Sequence, residues 1–110
     1  MLVRGAEVDR TKEGATPLYV ACQNGHVDAV RLLLNKGAVV ARAKANGVTP
    51  LWIACHQGRV DAARLLLDKG AAVNRAREDG MTPLYAACFN GHVNAARLLL
   101  ERGADINRAA

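Results

Sequence analysis

Apolar side chains recur along this chain at helical spacing in short bursts, and a glycine closes each burst. Val27, Val30, Leu33 and Leu34 fall on one helix face, and Gly37 ends that helix. Ahead of them Thr16 can cap an earlier helix that holds Pro17 in its first turn, where a missing N–H costs nothing. Leu18 to Asn24 continue it, and Gly25 stops it with a backbone free to go left-handed. The stretch Ala38 to Val48 follows with an Asn46-Gly47 turn signal, and its later counterpart holds Asp79-Gly80. The predicted unit is helix, tight turn, helix, then a projecting hairpin-like loop. Neither helix reaches the ~12 residues that an isolated helix needs, so stacking on neighbouring units must stabilise both.

That unit recurs. Thr-Pro-Leu begins at Thr16, Thr49 and Thr82, 33 residues apart each time. In this register residues 11–43, 44–76 and 77–109 share 17 of 33 positions in all three copies, which chance does not produce. Self-similarity at such a period marks a stacked-repeat architecture in which each copy contacts only its neighbours.

The residues that carry the period resemble the ankyrin repeat, a 33-residue unit with a Thr-Pro-Leu-His-x-Ala signature. Its Gly-x-Thr-Pro-Leu opening stands at Gly14, Gly47 and Gly80, and its Gly-His-hydrophobe turn at Gly25-His26-Val27 and Gly91-His92-Val93. Leu-Leu-Leu-x-x-Gly-Ala closes each copy, at Leu32 to Ala38, Leu65 to Ala71 and Leu98 to Ala104. The chain departs from the family in four ways. Tyr19, Trp52 and Tyr85 replace the His after Thr-Pro-Leu, and Cys22, Cys55 and Cys88 replace an Ala of the first helix. Arg59 stands where the turn His should be, and Val39 and Ala72 replace an acidic residue that Glu7 and Asp105 keep. The resemblance spans essentially the whole chain. It implies one all-α domain over residues 1–110, a solenoid of three stacked helix-turn-helix units with projecting hairpin-like loops. Residues 1–10 read as the tail of an earlier repeat whose helices are missing. Both ends look cut, with no polar capping repeat.

Composition narrows the function. With 51% apolar residues, 23% charged, 10 Gly and 3 Pro, the 110-residue chain is neither collagen-like nor disordered. No apolar run approaches the ~18 residues of a membrane span, and the opening Met1-Leu2-Val3-Arg4-Gly5 lacks a signal peptide's apolar stretch. The expectation is a soluble, intracellular and cytoplasmic protein. The net charge of +5 is diffuse, centred on residues 44–76, with no run of five or six like charges. Nucleic-acid binding would rest on that charge alone, without interleaved aromatics.

Three cysteines spaced by 33 residues sit one repeat apart, and packed helices at ~8–10 Å exceed the ~7 Å Cα reach of a disulfide. They are expected to be free, buried thiols acting as slightly enlarged alanines. Cys22-x-x-x-His26 and Cys88-x-x-x-His92 hint at zinc, but Cys55 is followed by Arg59, so no metal and no cofactor is expected. The aromatic column at Tyr19, Trp52 and Tyr85 should fill the groove between helix and loop, its polar groups seeking backbone acceptors. Asp28 and Asp61 precede Arg31 and Arg64 by three residues, which suits paired, solvated helix faces. A second basic column, Arg42, Arg75 and Arg108, lies near the loop base and could read an acidic partner. The chain contains no serine, no Gly-rich phosphate loop and no gathered carboxylate pair, so no enzyme active site and no small-molecule substrate is expected.

The resemblance implies protein–protein recognition through loop tips and the inner face of each first helix. Carried over, the candidates are Lys12, Glu13 and Ala15; Ala45, Asn46 and Val48; Glu78, Asp79 and Met81; and Gln23, Asn24, His56, Gln57, Phe89 and Asn90. These are also columns where the three copies disagree, as freedom from packing allows. The alternative is an excised or engineered scaffold without a natural target. Two apolar stacking faces left open at the ends would let copies associate weakly, head to tail.

Overall fold

Each repeat starts where a threonine hydroxyl closes a helix. Thr16, Thr49 and Thr82 accept the backbone N–H of Tyr19, Trp52 and Tyr85 at 3.0–3.1 Å, and all three threonines are buried. Each cap satisfies one of the orphan donors of the first turn. A proline follows each cap at the first helical position. The computed structural model describes residues 14–108. Within them run α1 (Pro17–Asn24), α2 (Val27–Asn35), α3 (Pro50–His56), α4 (Val60–Asp68), α5 (Pro83–Phe89) and α6 (Val93–Glu101). The described residues hold no β-strand, and the fold is the expected all-α stack.

Packing follows the period. α1, α3 and α5 form one layer, α2, α4 and α6 the other, and each first helix packs on its own second helix. The outcome is a body of 44 × 24 × 20 Å. Leu18, Leu51, Leu66, Leu99 and Val30 are fully buried between the layers. Ala54, Ala62, Ala63, Ala86, Ala87 and Ala95 are buried beside them, and their small side chains let the helices approach closely. The high alanine content is thus a consequence of helix-on-helix stacking.

The turn between the paired helices uses close approach as well as backbone shape. Gly58 has φ +70°, and a Cβ there would lie 2.6 Å from His92 Nδ1 of the next repeat. Glycine is needed twice over, for the left-handed backbone and for the space. In the loops, Asn46 and Gly47 both take positive φ, 75° and 76°, the geometry of a tight hairpin turn. Lys44 N–H donates to the Val48 carbonyl at 2.9 Å, and Arg77 N–H to that of Met81 at 2.9 Å, so both loops are closed at their necks.

The thiols behave unequally. All three are free, and burial pushes Cys22 and Cys55 up to about 12, with Cys22 adding to the rise at Cys55. Cys88, expected to be buried, is exposed. Its column faces the following repeat, and no described residue lies beyond α5 in that direction. Tyr85 is uncovered for the same reason, whereas Tyr19 and Trp52 are buried.

Candidate partner-binding surface

The loop tips are braced from beneath. The Trp52 indole N–H donates to the Met81 carbonyl at 2.9 Å, tying α3 to the neck of the following loop. The Arg77 guanidinium lies over the Trp52 ring, 4.7 Å from its centroid, and Lys44 Nζ sits 5.6 Å from the Tyr19 centroid. These cation–aromatic contacts repeat one unit apart and hold the basic residue at each loop neck against the aromatic below. Neighbouring tips are joined directly, since Glu78 N–H donates to the Asn46 carbonyl at 2.8 Å.

At the outermost turn, Arg77 donates through Nε and Nη2 to the two carboxylate oxygens of Asp79, and Met81 N–H donates to Asp79 Oδ1 at 3.1 Å. The arginine first, then the backbone N–H, hold the Asp79 carboxyl down at about 2. The ion pair is solvent-exposed and contributes little stability, but its two-point geometry fixes the tip.

The inner helix face is half polar. Gln23, His56 and Phe89 occupy one column, the first two half-buried and Phe89 75% exposed. The His56 ring stacks on Trp52 with centroids 4.9 Å apart. Burial first, then the nearby Arg77 guanidinium, lower the His56 pKa from its ordinary value, which favours the neutral imidazole. The Asn90 amide donates to the His56 carbonyl at 2.8 Å, and the Gln57 amide lies 3.4 Å from His56 Nδ1. Arg59, in the place of a turn histidine, donates through Nε to the Gln23 carbonyl at 3.2 Å, where a cation suits the end of α1.

The candidates therefore separate. Ala45, Asn46, Glu78, Asp79, Asn24, Gln57, Phe89 and Asn90 are exposed, and Ala15, Gln23, His56 and Met81 are half-buried. Lys12 and Glu13 lie outside the described residues. Val48 does not belong to the surface: it is buried, its side chain serving the core beneath the loop neck. Asn90 is exposed but its amide is already engaged.

Two arginines of one basic column brace consecutive repeats. Arg75 Nη1 donates to the Ala41 carbonyl at 2.6 Å, and Arg108 Nη1 to that of Asn74 at 3.1 Å. These two guanidiniums staple consecutive loop bases. Arg31 pairs with Asp28 and Arg64 with Asp61, each at 3.1 Å on the outer helices. Sequence reasoning missed Lys44 and Arg77 as loop supports. The signal was there, a basic residue ahead of the second and third tips in register with an aromatic column.

Among the described residues no group of three His, Cys, Asp or Glu gathers to hold a metal ion. None of their helices is long and apolar enough to cross a membrane. The sequence matches the family model described as ankyrin repeats (3 copies), over residues 1–77 and 40–110. A comparison with curated proteins gave no match.

Proposed function

Since the chain belongs to the ankyrin-repeat family, whose members generally serve as protein–protein interaction modules, we propose that it binds a partner protein through its loop tips and inner helix face. The surface is formed by Ala45, Asn46, Glu78 and Asp79 on the tips, with Gln23, Asn24, His56, Gln57 and Phe89 behind them. Ala15, Met81 and Asn90 border it, and Lys12 and Glu13 extend it in sequence. The observation that carries this reading is Phe89, a large aromatic 75% exposed on the helix face beside braced loop tips. Exposed aromatics of this kind anchor interfaces. The bracing means that little conformational entropy is lost on binding.

No step of chemistry is assigned. The family is typically non-enzymatic, and a preformed surface suits recognition.

Phe89→Ala and Glu78→Lys are expected each to weaken capture of the partner from a lysate of the source cells by about 1–2 kcal/mol or more. Helical circular dichroism should stay unchanged, because both side chains are exposed. Arg31→Ala, on the outer helix α2, should leave capture intact. Equal loss from Arg31→Ala would place the interface on the opposite face and refute the reading.

A further inference from the structure

Three arginines line the loop bases. Arg42, Arg75 and Arg108 stand one repeat apart, and two hydrogen bonds set them in a row. Arg75 reaches the carbonyl of Ala41, next to Arg42, and Arg108 reaches that of Asn74, next to Arg75. A neutral carbonyl takes one N–H of a guanidinium and leaves its charge and its other donors unanswered. Elsewhere arginines meet carboxylates: Arg31 pairs with Asp28, Arg64 with Asp61, Arg77 with Asp79 and Arg102 with Asp68. Among the described residues no carboxylate pairs with Arg75 or Arg108.

A hollow of about 100 Å³ opens beside Arg75, where the bases of successive loops meet. Val40 and Ala41 of one repeat, Ala71 and Ala72 of the next and the buried Leu51 line it. Arg75 is the one charged residue among its described lining. Apolar walls suit methylene groups, and a guanidinium at their edge suits a carboxylate held at two points. Arg75 Nη1 is occupied by Ala41, which leaves the Nε–Nη2 edge for such a pair. Glutamate offers both the methylenes and the carboxylate.

Comparison of the copies shows what the second one lacks. Asp105 stands at the place of Ala72, so the third repeat supplies a carboxylate three residues ahead of its own arginine. The second repeat keeps the arginine without the acid.

We propose that this hollow is a second recognition site, which seats a glutamate from an acidic segment of another protein, its carboxylate on Arg75 and its methylenes against Val40 and Ala72. Arg42 and Arg108 flank it at the ~8–10 Å of packed helices. Every third residue of an extended chain recurs at ~10 Å, so acidic residues at that spacing meet all three cations. No aromatic side chain lines the hollow, so a nucleic acid finds no stacking platform there. The site shares no residue with the loop-tip surface of the proposed function, and either can fail alone.

Fluorescence anisotropy of a labelled glycine-serine peptide with glutamate at every third position reads the site. Binding to the whole chain is expected to saturate, and to weaken as salt rises because exposed ion pairs are screened. Arg75→Gln should weaken it about tenfold. Arg97→Gln removes the same charge from the outer helix α6 and should change affinity by less than about twofold. Ala72→Asp places in the hollow the residue that the third repeat already carries there. It should therefore fold, and should block the peptide even if Arg75→Gln loses helicity. Phe89→Ala should leave peptide binding unchanged. Absence of saturable binding overturns the proposal. So does equal affinity for a peptide of the same composition with its glutamates contiguous, or equal loss in Arg97→Gln, since either means diffuse attraction. Tighter binding of a single-stranded oligonucleotide of the same charge also overturns it, in favour of a nucleic-acid surface.

Discussion

Replacing Leu66 with alanine is expected to cost about 2–5 kcal/mol of stability, the range for truncating a fully buried leucine. Leu66 has no solvent exposure and sits in α4, the middle helix of the outer layer. α4 packs on α2, α6 and α3, so a void there loosens both repeat junctions at once. In a solenoid the junctions carry the cooperativity, and urea unfolding should broaden as well as shift to lower midpoint. Leu32→Ala, on an exposed side chain of α2, should move the midpoint by less than about 1 kcal/mol. Equal shifts for the two would mean that the stacked layers are not what holds the chain together.

Trp52→Ala is expected to be comparably severe, about 3–5 kcal/mol for losing a buried indole, and its effect should reach the loop tip. The indole fills the space under the loop, donates to the Met81 carbonyl and carries the Arg77 guanidinium. Trp52→Phe separates these roles. It keeps an aromatic surface but removes the N–H, so stability should fall by about 1–3 kcal/mol for the unsatisfied carbonyl and lost volume. Amide hydrogen exchange at residues 77–81 should quicken in Trp52→Phe while α1 and α2 keep their protection. Unchanged exchange at the tip would show that the brace from α3 does not order it.

The helix limits were legible because they depend on local chemistry. A cap needs a side-chain oxygen at one position and tolerates proline at the next, and Thr16-Pro17, Thr49-Pro50 and Thr82-Pro83 show both. The hairpin turn was legible at Asn46-Gly47 because few residues accept positive φ. Residues in one sequence column need not share an environment, however. Cys88 and Tyr85 match buried counterparts letter for letter or nearly so, yet their burial depends on a repeat lying over them. Val48 stands in a column that varies among Ala, Val and Met, but variation there reflects how each core fills beneath the loop. The partners of Arg75 and Arg108 are backbone carbonyls 34 residues earlier, and every residue type supplies such an acceptor, so the sequence holds no mark of them.

The central claim is that the loop tips and inner helix face, and not the outer helices, meet the partner. A photo-crosslinking amino acid placed at Asn46 or at Phe89 tests it against the same group at Arg31 or Arg64. The four positions lie on exposed or partly exposed side chains of one folded chain, so differences in capture report the face and not the stability. One partner band appearing from positions 46 and 89, and absent from 31 and 64, is the expected result. The same band from positions 31 and 64, with none from 46 and 89, would contradict it.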